Sequence, residues 1–149
     1  DNNNLYDNNT IITASYTNPD VYRNIKNKLI AEQCTLSLID STEKNEFVKS
    51  LLIPNKKYFI QGYNFDPDGS DFTDDNNNIL SFTDWDSEQP MYIDILNVIC
   101  INENKKWEVV NDIYNDKLGY VAEYKIKKLS QYFENPRIRY QVLGNKKVM

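Results

Sequence analysis

Histidine is absent from the 149-residue sequence, and glycine and cysteine are scarce, with four and two residues. Histidine is the side chain used most often for proton transfer near neutral pH and the commonest ligand of transition metals. Its absence excludes the catalytic triads and zinc sites that need it. Catalysis by two carboxylates, a cysteine or an N-terminal group stays open, but there is no motif for it and no phosphate- or dinucleotide-binding glycine pattern. We therefore predict a protein that is not an enzyme and has no cofactor.

Excess positive charge and long apolar segments are also missing. The net charge is −5 and the isoelectric point is near 4.8, which argues against nucleic acids and anionic membranes as partners, because both require a basic surface. No apolar run approaches the roughly 18 residues of a membrane helix, and the first residues do not resemble a signal peptide. We expect one domain without direct membrane insertion and, since the sequence starts at Asp1, a processed or truncated product.

The first part of the sequence predicts a lead-in, a strand and a helix. Residues 1–10 are too poor in apolar groups to offset the entropy of ordering, so we predict a disordered lead-in. The segment 11–16 is rich in β-forming residues and predicts a strand. Asn18-Pro19-Asp20 then supplies a helix N-cap, a proline and an acidic residue, and an apolar stripe predicts a helix that ends near Glu32. The stripe consists of Val21, Ile25 and Leu29.

A short strand, a second helix and a buried strand are predicted next. Leu36-Ser37-Leu38-Ile39 predicts the short strand. Asp40 and Glu43 have the spacing of a capping box and precede an apolar stripe, which predicts a helix that ends before Pro54. Tyr58-Phe59-Ile60-Gln61-Gly62 predicts the buried strand.

The rest of the domain is predicted to contain a long irregular loop and the remainder of the sheet. Residues 64–78 are dense in Asp and Asn, and such a long segment in a compact domain is usually functional or disordered. Two helices and strands that do not alternate with them indicate an α+β domain with a largely antiparallel sheet over residues 11–126. The later strands are predicted at residues 79–85, 97–102, 106–110 and 120–125.

The sequence becomes basic after Lys125, with aromatic residues interleaved. Segments of this kind bind single-stranded nucleic acids in other proteins. Here the segment is short and the remainder of the chain is acidic, so we predict no nucleic-acid partner. We interpret residues 127–149 as a C-terminal extension or a linker.

Six short segments follow one another in a characteristic order between residues 58 and 123. They are Tyr58-Phe59-Ile60-Gln61-Gly62, Phe82-Thr83-Asp84-Trp85, Gln89-Pro90, Val98-Ile99-Cys100, Lys106-Trp107 and Tyr120-Val121-Ala122-Glu123. This order resembles a C-type lectin-like domain. In that family a W-I-G-L type strand precedes a long loop that ends in a tryptophan and an E-P-N type sequence; a strand with a cysteine, a W-N-D type sequence and a final I-C-E follow. The resemblance implies the C-type lectin-like fold, with two helices, a mostly antiparallel sheet and a long irregular loop region.

The two cysteines are too few for a disulfide scaffold, so Cys34 and Cys100 could pair, stay reduced or bond outside the chain. The resemblance implies two bridges, and neither is complete here. The first would join positions that hold Leu29 or Ile30 and Ala122, where an apolar contact would replace it. The second lacks the partner of Cys100. A bridge from Cys34 to Cys100 and buried free thiols both stay open.

The resemblance also implies a calcium site, which sugar-binding members build from oxygen ligands near the tryptophans. Calcium takes six to eight oxygen ligands. Three of the five corresponding positions have no side-chain oxygen, and one carries a charge. These positions hold Gln89, Met91, Val98, Glu108 and Val109. We therefore predict no metal and no calcium-dependent sugar binding at this site.

Two other groups of residues offer oxygen ligands for a cation. A shifted alignment lets Asn111-Asp112 stand for the N-D pair, but Met91 and Val98 still leave too few ligands. A loop rich in aspartate offers further oxygens, but it lacks a glutamate at calcium-loop spacing, so we interpret it as a solvated loop. Its acidic residues are Asp66, Asp68, Asp71, Asp74 and Asp75.

The resemblance implies a binding surface formed by the loop 64–75 and the segment 85–97. Within it, Met91-Tyr92-Ile93 is an apolar cluster of the kind that anchors a protein partner. We predict a secreted or surface-exposed recognition or adhesion module that binds a protein receptor, or a glycan without the usual calcium site. The predicted ligand-binding residues are Asp66, Asp68, Asp71, Gln89, Met91, Tyr92, Asp94 and Glu108. The alternative is a structural subunit of a larger assembly, held by the first ten residues and the basic tail.

Overall fold

The structure, a computed structural model, describes residues 5–6, 9–14, 22–65, 71–93, 96–111 and 118–125. These residues form two helices, α1 (Tyr22–Ala31) and α2 (Thr42–Leu51). The strands are β1 (Leu5–Tyr6), β2 (Asn9–Ala14), β3 (Thr35–Leu36), β4 (Tyr58–Asn64), β5 (Asn97–Ile101), β6 (Trp107–Asn111) and β7 (Gly119–Lys125).

The strands belong to one sheet, in which β7 occupies a central position. The order is β1-β2-β7-β4-β5-β6, and β3 also pairs with β7. The pairing is antiparallel except between β4 and β7, which run parallel where Tyr58 and Phe59 face Gly119 and Tyr120. The predicted α+β class with a mostly antiparallel sheet is confirmed.

The two faces of the sheet carry separate apolar clusters, because successive side chains of a strand point to opposite faces. On β5, Val98 and Cys100 join α1 in the first cluster, whereas Ile99 and Ile101 join α2 in the second. The predicted stripe of α1 is buried at Ile25 and Leu29, together with Tyr22. The sheet is therefore covered by α1 on one face and by α2 and the long loop on the other.

The first helix ends at Ala31, one residue before the predicted end, and Gln33 then adopts a φ of 61°. The predicted cap at Asn18-Pro19-Asp20 lies outside the described residues. Leu29 and Ala122 are both fully buried in the first cluster, whereas Ile30 is exposed. Leu29, and not Ile30, therefore occupies the buried apolar position that is expected in place of a cysteine of the first bridge.

The predicted cap of the second helix is wrong by one residue. Ser41, and not Asp40, is the N-cap, and its hydroxyl accepts a 3.1 Å hydrogen bond from Lys44 N. Both residue types are good caps, so local preference does not choose between them. Asp40 is exposed, and Val48 of the helix lies in the second cluster.

Two further segments differ from the predictions. The expected strand at residues 79–85 is wrong: this segment has only isolated bridges, from Ile79 to Thr73 and from Trp85 to Trp107. Its apolar side chains pack on the second cluster, which explains their strand-like spacing. Within the expected disordered lead-in 1–10, β1 and the start of β2 pair with each other. The segment 127–149 lies outside the described residues.

Candidate functional site

Residues 72–80 of the long loop between β4 and β5 form a compact turn stabilised by backbone and side-chain hydrogen bonds. Thr73 pairs with Tyr63 of β4, and Leu80 N donates a 3.0 Å hydrogen bond to Phe72 O. Asp74 Oδ1 accepts hydrogen bonds from the backbone N–H groups of Asn76 and Asn78, at 2.8 and 3.0 Å. The carboxylate of Asp74 therefore shapes this turn.

The middle of the loop is anchored to α2 and β6 by the carboxylate of Asp84. Lys106 Nζ lies 2.8 Å from Asp84 Oδ1, and Lys49 Nζ lies 2.9 Å from Oδ2, which also accepts a 2.8 Å hydrogen bond from Asn45 Nδ2. Partial burial disfavours the charged form of Asp84. The hydrogen bonds from Lys106, Lys49 and Asn45 outweigh this effect and lower its pKa to about 2.

The two tryptophans connect this anchor to the core. Trp107 is buried, and its Nε1 donates a 3.3 Å hydrogen bond to Asn45 Oδ1. The ring of Trp85 packs edge-on against it with centroids 6.1 Å apart, and also contacts Phe72 at 5.4 Å. Both tryptophans thus hold the loop against the sheet.

A second polar cluster lies beside this anchor. Asn102 Nδ2 donates hydrogen bonds to Asp86 Oδ2 at 2.8 Å and to Glu108 Oε1 at 2.9 Å. Lys57 Nζ lies 3.3 Å from Glu108 Oε2. Hydrogen bonds from Asn102, from the backbone of Ser87 and from Asn104 lower the pKa of Asp86. Both oxygens of Glu108 are therefore engaged within the protein.

Gln89 attaches the final part of the loop to β6. The peptide bond between Gln89 and Pro90 is cis. Gln89 Oε1 accepts two 3.0 Å hydrogen bonds, from Met91 N and from Val109 N. The side-chain oxygen of Gln89 is therefore directed at the backbone of its own domain.

After Pro90, the loop presents apolar side chains to solvent. Met91, Tyr92 and Ile93 are 57, 43 and 59% exposed, and Ile79 from the earlier part of the loop is 63% exposed. We call these four residues the apolar loop surface. The ring of Tyr92 stacks on Phe72 with an interplanar angle of 12° and a centroid distance of 5.6 Å. This contact fixes the aromatic part of the surface on the second apolar cluster.

An open cavity of about 220 Å³ lies next to this surface. It is lined by Asp71, Phe72, Ile79, Leu80, Thr83, Trp85, Pro90 and Tyr92. The cavity combines aromatic and aliphatic walls with the carboxylate of Asp71 and the hydroxyl of Thr83. Such a composition suits an apolar side chain that carries a polar end.

The predicted site residues occupy three different environments. Asp71 and Tyr92 line the cavity, and Met91 lies on the apolar loop surface. Gln89 and Glu108 form hydrogen bonds within the domain: Gln89 accepts one from Val109 N, and Glu108 accepts one from Asn102. Asp66, Asp68 and Asp94 lie outside the described residues. The sequence prediction missed Phe72, Ile79 and Leu80; the only signal for them was an apolar pair, Ile79-Leu80, within an otherwise polar stretch.

The positions that correspond to the family's calcium ligands do not fit a calcium ion. Met91 and Val98 have no side-chain oxygen, and the oxygens of Gln89 and Glu108 are engaged as described above. Within the described parts of the chain, there is no cluster of three or more acidic, cysteine or histidine side chains able to hold a metal. The absence of a metal stays a prediction, since several aspartates lie outside those parts. The described helices are too short and too polar to span a bilayer.

Both cysteines are buried and free. Burial, followed by the charge of Glu32, raises the pKa of Cys34 to about 11. Burial likewise raises the pKa of Cys100 far above its usual value. Thiols in this state are poor nucleophiles, so neither cysteine has the environment of a catalytic residue.

The solved structures that share this arrangement are C-type lectin-like domains. The mouse scavenger receptor C-type lectin carbohydrate-recognition domain is 10% identical, with a TM-score of 0.72 over 84% of this chain and 94% of that chain. The cow carbohydrate-recognition domain of CD23, in the presence of a GlcNAc2Man3 oligosaccharide, is 14% identical, with a TM-score of 0.70 over 83 and 92%. A calcium-independent type II antifreeze protein is 11% identical, with a TM-score of 0.68 over 81 and 89%.

No protein-family model matches the sequence, and no curated protein matches it. The likeness therefore lies in the fold, which the sequence order of short motifs predicted correctly. The chain is a divergent domain with the C-type lectin-like fold.

Proposed function

We propose that this chain is a recognition module that binds a protein partner through the apolar loop surface and the adjacent cavity. The observation that carries the proposal is the exposure of three consecutive apolar residues, Met91, Tyr92 and Ile93, beside an open cavity. Contiguous exposed apolar side chains are costly in water and commonly mark interaction sites. Tyr92 and Met91 belong to the residue types that are enriched in protein interfaces.

The contacts that hold the loop in place favour specific binding. Asp84, Gln89 and the two tryptophans attach the loop to α2 and β6, so little ordering remains to be done when a partner arrives. A preformed surface loses less conformational entropy on binding. The module therefore offers a defined shape with an aromatic anchor.

A protein partner is favoured over a glycan by the chemistry of the surface. Sugar recognition needs several polar groups directed outward, and the oxygens of Gln89 and Glu108 are directed inward. The mouse and cow neighbours are carbohydrate-recognition domains, so a calcium-independent glycan is the second candidate. We place the module in a secreted or surface-exposed setting, as the names of these neighbours suggest.

The test compares partner capture by the wild-type chain and by a triple variant, Met91→Ser, Tyr92→Ser and Ile93→Ser. Cell-surface proteins and secreted proteins of the organism that produces this chain are passed over each immobilised chain, in buffer that contains either calcium or a chelator. We expect a partner that is retained by the wild type under both conditions and at least about tenfold less by the triple variant, because hot-spot residues carry most of the binding energy. Ile30→Ser is the matched control, since Ile30 is 57% exposed on α1, outside the surface.

The other outcomes would either refute the proposal or favour a different function. Undiminished capture by a correctly folded triple variant would refute the proposal. Binding of the wild type to an immobilised glycan panel, lost in the triple variant, would favour the glycan. A chain that assembles into a larger particle, and no longer does so without residues 1–10 and 127–149, would favour the structural subunit.

A further inference from the structure

A third polar cluster is formed by side chains of β2, β7 and α2, on the face of the sheet that α2 covers. Lys44 Nζ on α2 donates a 2.8 Å hydrogen bond to Glu123 Oε1 on β7. Asn9 Nδ2 on β2 donates a hydrogen bond to Oε2 of the same carboxylate. The side chains of Lys44 and Glu123 are only 7 and 8% exposed. An amine and a carboxamide are thus held together on the two oxygens of one buried carboxylate.

The cluster is covered by aromatic side chains. The ring centroid of Tyr6 on β1 lies 5.9 Å from Lys44 Nζ, and the ring packs against Phe47 on α2 with centroids 5.6 Å apart. The hydroxyl of Tyr6 lies 3.3 Å from Ser41 Oγ. The aromatic cover therefore lies over the buried amine of Lys44, while Asn9 is partly exposed.

The position of the carboxylate is fixed by two further donors. Ser37 Oγ and the backbone N–H of Leu38 donate to Glu123 Oε1 at 2.8 and 3.1 Å. Oε1 therefore receives the donors from α2 and the segment after β3, while Oε2 faces the carboxamide of Asn9. A buried charged pair is costly to assemble, and this one takes no part in the apolar loop surface.

We propose that Lys44 and Asn9 react with each other to form an intramolecular isopeptide bond, with Glu123 as the proton-transfer group. A bond forms between Lys44 Nζ and Asn9 Cγ, and the bond between Asn9 Cγ and Nδ2 breaks. The nitrogen of Lys44 loses two protons on going from ammonium to amide. One joins Nδ2, which leaves as ammonia, and the other stays on Glu123 or converts the ammonia to ammonium. The exchange needs no oxidant, metal or cofactor.

Two physical effects drive this reaction. Holding both reactants on one carboxylate turns a slow bimolecular exchange into an intramolecular one, which raises effective concentrations by orders of magnitude. Glu123 contacts both the nucleophile and the leaving group, so it can accept a proton from one and deliver a proton to the other.

A similar trio on the same helix provides an internal control. Lys49 and Asn45 also share a carboxylate, that of Asp84. A second lysine, Lys106, binds this carboxylate, and its pKa of about 2 keeps it ionised. Two lysines on one carboxylate make Asp84 a poor acceptor for a proton from Lys49, so the first proton transfer is disfavoured. We expect Lys49 and Asn45 to stay unlinked.

The test is the intact mass of the full-length chain, compared between the wild type, Lys44→Arg and Lys49→Arg. We expect the wild type and Lys49→Arg to be lighter than their sequence masses by one ammonia, and Lys44→Arg to have its full sequence mass. Cyclisation of an asparagine onto its own backbone loses the same mass. A protease digest must therefore yield one branched peptide that joins the segment containing Asn9 to the segment containing Lys44.

Glu123→Gln tests the proton transfer, because it keeps a hydrogen-bonding side chain of the same size but cannot carry the proton. We expect a folded Glu123→Gln chain to show its full sequence mass. A wild-type chain at full sequence mass, or a mass loss that persists in Lys44→Arg, would overturn the proposal. A folded Glu123→Gln chain that still forms the branched peptide would overturn the role of Glu123. If this variant does not fold, the wild-type mass and the branched peptide still show whether the bond between Lys44 and Asn9 forms.

Discussion

Removing the charge of Asp84 should destabilise the domain by an amount that depends on pH. The folded pKa of about 2 lies below the ordinary value of 3.8, and each pKa unit corresponds to about 1.4 kcal/mol. The full shift is therefore worth about 2 kcal/mol. Lys106 is 45% exposed, so solvent screening reduces its share. We expect Asp84→Asn to lower the free energy of unfolding by about 1 to 2 kcal/mol near neutral pH.

The sign of the pH dependence follows from the depressed pKa. A carboxylate that ionises more readily in the folded state contributes its full stability above the unfolded pKa, 3.8, and loses it as the pH falls towards about 2. The difference between wild type and Asp84→Asn should therefore be constant from neutral pH down to about pH 5 and shrink below about pH 4.

Urea denaturation followed by tryptophan fluorescence measures this difference, because Trp107 is linked to Asp84 through Asn45. Asp40→Asn is the matched control. It makes the same change of charge at an exposed residue before the same helix, and should alter stability by less than about 0.5 kcal/mol. A difference for Asp84→Asn that is zero at neutral pH, or that does not shrink in acid, would contradict the reasoning.

Two further predictions concern packing and the thiols. Gly62 has a φ of 152°, and a methyl group there would lie 2.6 Å from Ile99 Cδ1, so Gly62→Ala should lower stability by about 1 to 3 kcal/mol. In thermal unfolding, Ile99→Val should partly rescue it; strictly additive effects would show that this contact is not the cause. Burial raises the pKa of Cys34 to about 11 and that of Cys100 further, so iodoacetamide should label both only after unfolding. Mass spectrometry of the native, treated protein checks this, and rapid labelling would contradict it.

The parts of the fold that were predicted from sequence are those with local signals. The strands β4, β5, β6 and β7 carry continuous or alternating apolar residues, and both helices carry an apolar stripe, so their positions agree to within a few residues. The segment 79–85 shows the limit of this reasoning. Its spacing resembles a strand, but a strand also needs a neighbour along its length, and here the neighbouring backbone meets it at single residues.

The apolar part of the site was predicted where it is continuous in sequence, and Asp71 is the predicted residue from the other half of the loop that lines the cavity. Met91-Tyr92-Ile93 directly follows Gln89-Pro90, and its place in the order of short motifs predicted that it belongs to the binding surface. The cavity combines residues from both halves of the loop, which no local pattern connects. The pair Lys44 and Glu123 is separated by 79 positions, so its burial could be seen only in the folded chain.

The register between β2 and β7 determines how the domain would respond to a mechanical load. Asn9 lies opposite Lys125, so the chain enters β2 and leaves β7 at the same end of this ladder. A force pulling these two residues apart would unzip the strands one pair at a time, which resists force less well than sliding them past each other. Asn9 is the first residue such a force would detach. A covalent link from Asn9 to Lys44 would carry the load into α2 and stop the unzipping at its first step.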